Sequence, residues 1–261
     1  MTHLIKRCLL ATAMLLLSIP ASHAGVIMLT GSDADVLHGH GPYALDTRDH
    51  LQGGSALDVL VLGSAGAGGL YSTAVGGVGV TTATTLAGLI LSNYSAIYLL
   101  SNDANGTGCC EADVARIAGF EAAINAFIGS GGSFGVQDYT GSAGFDAILG
   151  TAGGANGSVY GFLGGLGGTN NYDNEAVTAA GTAAGFQNYA AVGAWGHQGF
   201  DMGFFSGLGY TSLIDAPVYG GTAAGLISKT VAAARIPEPG TLALLSLGLF
   251  GMGLARSKRK G

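Results

Sequence analysis

The chain has 261 residues, 48 of them glycine, with only 10% charged residues and a formal net charge of −6. Six of its ten Lys and Arg sit in the two ends, so the stretch 25–238 sets four basic residues against sixteen acidic ones, a formal charge of −12. That balance excludes nucleic acid as a partner, because phosphate binding needs a basic footprint, and it favours divalent cations or a cationic surface. An apolar fraction of 48% argues against wholesale disorder. Roughly 210 residues between the ends are enough for one domain with a sizeable core.

The N-terminus reads as an export leader. Lys6 and Arg7 form a positive start, Leu9 to Ile19 an apolar run, and Ala21-Ser22-His23-Ala24 supplies small residues at the positions a signal peptidase reads, with cleavage expected before Gly25. The alternative is a retained anchor, but the run is short of the roughly 20 residues that span a bilayer.

Residues 26–30 form a short apolar run that predicts a first buried strand, followed by Gly-Ser-Asp. The loop expected after it, 33–50, holds Asp33, Asp35, His38, His40, Asp46, Asp49 and His50. Loops at the carboxyl ends of parallel strands are where α/β proteins place their sites. His38-Gly39-His40 can converge on a divalent transition metal with Asp33 or Asp35 as an oxygen ligand; a solvated acidic loop with incidental histidines is the plainer reading.

A second strand is expected at 57–62, a helix at 84–91 and a third strand at 96–100. Asn102-Asp103-Ala104-Asn105-Gly106 is rich in oxygen ligands but lacks the spacing of a calcium-binding EF-hand loop, and turn formation accounts for it. Asp103 to Thr107 also fits an extended bacterial glycosylation sequon. Cys109 and Cys110 are adjacent, which leaves open a vicinal disulfide, a thiolate at a helix start, metal binding, intermolecular pairing or a structural role.

Ile117, Phe120, Ile124, Phe127 and Ile128 recur at steps of three and four, predicting a helix over 111–128 with Glu111 and Asp113 in its first turn. Gly129 to Gly132 stops it, and a fourth strand follows at 133–137. Nearly continuous apolar strands alternating with a helix are the pattern of a parallel α/β sheet buried on both faces.

The segment 94–137, with Tyr94-Ser95-Ala96-Ile97-Tyr98-Leu99, a helix ending Ala126-Phe127-Ile128, then Gly-Gly-Ser and a strand, resembles the class I glutamine amidotransferase-like, flavodoxin-like superfamily. That resemblance implies a nucleophilic cysteine on a sharp turn after the later strand. The corresponding residues, Val136-Gln137-Asp138-Tyr139-Thr140-Gly141, contain none, so any such descent is degenerate.

Residues 152–169 read as a glycine-rich loop or lid, 189–195 and 226–232 as late strands, and Asn170, Asn171, Asp173 and Glu175 as turn residues or a loose cation cluster. His197 and Asp201 lie in an aromatic and polar cluster, Trp195 to Asp201, that forms a candidate pocket; a lone histidine is more often a packed, hydrogen-bonded residue than a base.

The chain ends in Pro237-Glu238-Pro239, an apolar stretch from Thr241 to Ala255, and the basic cluster Arg256, Lys258, Arg259 and Lys260. As a helix the apolar stretch reaches roughly 24 Å, less than a hydrocarbon core of about 30 Å, and the cluster orients it with the C-terminus in the cytoplasm. This order resembles the PEP-CTERM sorting signal of Gram-negative bacteria. The resemblance implies cleavage by an exosortase near the Pro-Glu-Pro motif and delivery to the surface, often beside exopolysaccharide; a plain membrane anchor is the alternative.

Together these readings divide the chain into a signal peptide (1–24), an acidic Gly/Ala-rich α/β domain (25–235) and a sorting segment (236–261). The expected fold is a parallel-sheet, flavodoxin-like three-layer domain with Gly-rich loops, a cleavable N-terminal signal helix and a C-terminal hydrophobic helix. The expected partners are signal peptidase, exosortase, the inner membrane in passing and exopolysaccharide. The expected role is a non-catalytic surface or biofilm-matrix component; the alternative is a degenerate amidotransferase-like or metal-dependent hydrolase-like enzyme.

Overall fold

A computed structural model describes residues 24–36, 40–101, 112–137, 159–160, 176–189, 199–216 and 223–232. Residues 1–23 of the expected signal peptide, the sorting segment, His38, Cys109, Cys110, His197 and most of the glycine-rich stretch therefore lie outside the described residues. Among the described residues, no helix is long and apolar enough to cross a membrane.

The centre is a mostly parallel sheet. Strands β1 (Gly25–Thr30), β2 (Val59–Leu62), β3 (Val80–Ala83), β4 (Ala96–Leu99) and β5 (Ser133–Gln137) run parallel in the order β3-β2-β4-β5-β1. The short strands β6 (Val159–Tyr160), β7 (Ala176–Val177), β8 (Gly199–Asp201) and β9 (Thr211–Asp215) and the long β10 (Ala223–Val231) extend it by antiparallel pairing, β10 lying directly against β1. Counted from β2, the first four parallel strands take the spatial order 2-1-3-4. The N-terminal strand sits between β5 and β10 rather than between the strands that follow it in sequence.

The sheet is buried on both faces, and the strands alternate between two cores. Leu60, Leu62, Ile97, Leu99, Phe134 and Val136 face helix α3 (Glu121–Gly129), which contributes Ile124, Phe127 and Ile128. Val59, Val61, Ala96 and Tyr98 face helices α1 (Gly41–Gln52) and α2 (Ala65–Ala74), which contribute Tyr43, Leu51, Ala67 and Tyr71. The result is three layers, as the run of apolar strands requires. Two further short helices, α4 (Ala179–Ala183) and α5 (Met202–Phe205), cover opposite faces beside the antiparallel strands.

Three expected elements are corrected. The expected loop 33–50 becomes helix from Gly41 onward, because Pro42 is well placed in a first turn and the His40 side chain caps it. The expected helix at 84–91 is a loop ending in a 3₁₀ turn at Leu91–Asn93, with Gly88 at φ 77° interrupting it. The expected helix 111–128 is a 3₁₀ turn at Val114–Arg116 and then α3 from Glu121, broken by Gly119 at φ 82°. Asp113 therefore pairs with Arg116 instead of sitting in a helical first turn. Helices α1 and α2 and strand β3 carried too little apolar periodicity to be expected at all.

Candidate functional site

The densest polar cluster of the described residues sits at the carboxyl ends of β1, β4 and β5. The chain leaves β1 at Thr30 and turns tightly: Ser32 N–H donates to Thr30 Oγ1 (3.2 Å), Ala34 N–H to Ser32 Oγ (3.3 Å), and Val36 N–H to the Asp33 carbonyl (3.1 Å). These hydroxyl turns compete well with regular backbone pairing and carry Asp33 and Asp35 inward. Both aspartates are buried, Asp35 completely.

Asp35 is gripped from two strands. The Tyr98 hydroxyl on β4 donates to Asp35 Oδ2 at 2.8 Å, and Gln137 Nε2 at the end of β5 donates to Asp35 Oδ1 at 2.6 Å. Gln137 Nε2 also donates to the Ser32 carbonyl (3.1 Å), while its Oε1 accepts from the Ser101 N–H and hydroxyl, each at 3.2 Å. One buried amide thus joins the β1 turn to the end of β4. From α1, the Tyr43 hydroxyl bonds Thr30 Oγ1 at 2.6 Å. The ring of Tyr98 has room because β5 carries Gly135 beside it, where a Cβ would stand 2.7 Å from Tyr98 Cδ2.

Burial pushes the Asp35 carboxyl up to about 7; the Tyr98, backbone and Gln137 hydrogen bonds pull it down, and the Asp33 charge adds to the rise. Tyr98 is raised well above its ordinary value by burial first and the Asp35 charge second. The cluster can hold one proton near neutral pH on a carboxyl that ties three strands together.

Of the expected metal ligands, His38 lies outside the described residues, while Asp33 and Asp35 are buried in the β1 turn and His40 stands at the start of α1. Among the described residues, no group of three or more His, Cys, Asp or Glu side chains is placed to hold a metal ion. His40 caps α1, its Nδ1 accepting from the Tyr43 N–H at 3.3 Å, and burial lowers its imidazole below the usual range. Both oxygens of Asp35 accept from protein donors. Of the candidate pocket, Asp201 caps α5, with Oδ1 accepting from the Gly203 N–H at 2.8 Å. His50, expected in the same loop as His40, sits on α1, where its Nε2 is 2.9 Å from Ser228 Oγ and its ring meets Phe186 edge-on; burial lowers it to about 4.

Gln137, Tyr98, Ser101 and Tyr43 were not anticipated. For Tyr98, Ser101 and Gln137 the signal is a polar group interrupting, following or ending an apolar strand, as in Ala-Ile-Tyr-Leu and Ser-Phe-Gly-Val-Gln, since buried polar groups must find partners; Tyr43, on α1, carries no such mark. A shallow depression of about 410 Å³ opens nearby, at the ends of β2 and β3, lined by Ser64, Ala65, Thr82, Thr84, Thr85 and Leu89.

The cluster defines a mixed α/β protein with an internal polar latch, and the chain's C-terminal end adds an address. Residues 235–260 match the family model of the PEP-CTERM protein-sorting motif. The chain carries that motif and with it the mark of an exosortase-sorted, exported protein bound for the cell surface or the extracellular space. No curated protein and no solved structure matches the chain.

Proposed function

We propose that this protein is a non-catalytic surface or matrix component, trimmed at both ends during export and working beside exopolysaccharide. The sorting motif at 235–260 is the observation that carries this reading. Before cleavage, the apolar stretch after Pro237-Glu238-Pro239 holds the chain in the inner membrane, with Arg256, Lys258, Arg259 and Lys260 on the cytoplasmic side. Signal peptidase removes the leader before Gly25, and the exosortase then removes the tail. What remains is strongly anionic.

The polar latch supports the absence of catalysis. Asp35 and Gln137 direct their side-chain oxygens and amide at each other, at Tyr98 and at Ser101, in a fully buried network that stiffens the sheet. An acid or base that acts on a substrate must reach the reacting atom.

Two measurements on the producing cells test the reading. Fractionation with and without the exosortase should move the protein from the surface to the inner membrane when the enzyme is missing. The processed protein, mixed with purified exopolysaccharide, should gain melting temperature and release no product. Product release that disappears in Asp35→Asn would replace this reading with the hydrolase-like one.

A further inference from the structure

Strand β3 is the outer edge of the parallel sheet, and among the described residues no strand lies beyond it. In a parallel ladder, alternate residues turn their backbone groups toward each neighbour. The Val59 N–H donates to the Gly79 carbonyl and the Gly63 N–H to the Ala83 carbonyl, so Gly79, Thr81 and Ala83 face β2. Val78, Val80, Thr82 and Thr84 therefore point their N–H and C=O groups outward.

The two ends of that outward row are capped. Arg48 Nη1 donates to the Val78 carbonyl at 2.9 Å, and Arg116 Nη1 donates to the Thr84 carbonyl at 2.8 Å. Each arginine is neutralised by its own neighbour, Asp49 or Asp113. Behind the strand, the Thr81 hydroxyl donates to Asp58 Oδ2 at 2.8 Å. The window of Val80 and Thr82 is thus held straight from both ends and from behind, with its own backbone groups turned away from the molecule.

The surroundings are unusual for this protein. No Asp, Glu, Lys, Arg or His occurs from Val59 to Asn102, 44 residues in a chain whose 25–238 stretch carries −12. Large apolar side chains stand exposed on the same unit: Val78 (68%) just before β3, Ile90 (65%) after it, Leu70 (44%) on α2 and Leu57 (45%) ahead of β2. Edge strands are normally protected by Lys, Pro, a bulge or a covering element, and β3 carries no Lys, Pro or bulge.

Charge decides the occupant. A cationic partner gains nothing at a neutral edge and everything on the acidic remainder. A second anionic copy meets repulsion over that remainder and little here, where Asp49 and Asp113 are paired with arginines and Asp58 is the one carboxylate left, held by Thr81. We propose that β3 is a self-association edge, on which a second copy of this chain lays its own β3 antiparallel about a twofold axis through Thr81. In that register Val80 faces the partner's Thr82, and the reverse, each pair exchanging both backbone hydrogen bonds. Thr81 faces the partner's Thr81 across the closer, non-hydrogen-bonded position. The apolar side chains around the strand are then drawn toward the new boundary.

Sedimentation velocity of the processed protein over a rising concentration series should show monomer giving way to dimer. Thr82→Pro removes an outward N–H that the native ladder does not use, so it should leave the circular dichroism spectrum intact and keep the protein monomeric throughout. If Thr82→Pro fails to fold, a cross-link decides. In a Cys109→Ser, Cys110→Ser background, Thr81→Cys treated with diamide, which takes up the two protons and two electrons, should form a disulfide-linked dimer. Opposed residues at that position lie about 4.5 Å apart, within disulfide reach. Ser55→Cys in the same background is the control and should stay monomeric. A protein that is monomeric at every concentration overturns the proposal. So does association unchanged by Thr82→Pro, or a Thr81→Cys dimer no more abundant than the control.

Discussion

Two buried groups pull the protein's acid stability in opposite directions, and single substitutions should separate them. Asp35 rises from 3.8 to about 7 on folding. A raised carboxyl stabilises the fold fully below the unfolded value, and that contribution is lost as pH climbs through about 7. His50 falls from 6.5 to about 4. A depressed imidazole does the reverse: below 6.5 the unfolded chain takes a proton that the folded chain refuses, so stability is lost as pH drops toward 4. Each pH unit in such a window is worth about 1.4 kcal/mol. Over their shared window the slopes cancel, one near −1.4 and the other near +1.4 kcal/mol per pH unit, so the pair alone gives a flat profile.

The substitutions break the balance. Asp35→Asn imitates the neutral acid, and His50→Gln keeps a group that can bond Ser228. Urea unfolding free energies should be measured between about pH 4.5 and 6.5 and expressed as differences from the unaltered protein, so that other titrations cancel. Relative to that reference, Asp35→Asn should gain roughly 3 kcal/mol across the window as pH rises, and His50→Gln should lose a similar amount. Profiles that run parallel to the unaltered protein would refute the reasoning for whichever group was changed.

Other outcomes follow from the same contacts. Gln137→Leu strips the amide that joins the β1 turn to β4 and leaves buried partners unmet, so the melting transition should fall by an amount corresponding to about 2–4 kcal/mol. Gly135→Ala puts a Cβ 2.7 Å from Tyr98 Cδ2 and should cost about 1–3 kcal/mol in urea unfolding, with the loss reduced in a Tyr98→Ala background, which removes the ring. Replacing Pro237, Glu238 and Pro239 together by Ala should trap a longer precursor in the membrane fraction, visible as a slower band on a gel.

Parts of this architecture were legible because burial leaves a mark on composition. Strands 26–30 and 96–100 are nearly continuous apolar runs and emerge as β1 and β4, and 133–137, set off by the Gly129 to Gly132 stop, emerges as β5; all three are largely buried. Helix α1 was hidden because its core-facing residues, Tyr43, Ala44, Thr47 and Leu51, are mixed in character and interleaved with Asp46, Arg48 and Asp49. Helix α2 is mostly small residues, whose stripe has little contrast. In 111–128 the apolar spacing was real, since Ile117 is buried with Ile124 and Phe127, yet Gly119 breaks the backbone between them. Periodicity reports which side chains go inside, not whether one helix delivers them.

For the site, Asp35 stood out by composition, but its role was set by residues far away in sequence. Tyr98 and Gln137 lie 63 and 102 positions downstream. Their meeting depends on β1 docking beside β5, a non-local pairing that no local pattern announces. His40 shared the loop's chemistry but was taken up by a helix cap.

The most direct test of the central claim is the intact mass of the protein recovered from the surface of cells that have, or lack, the exosortase. The account predicts a surface form that begins at Gly25 and ends near Pro237-Glu238-Pro239, replaced in the deficient cells by a membrane-held form still carrying the apolar and basic tail. Full-length chain at the surface, with both ends intact in either strain, would contradict it.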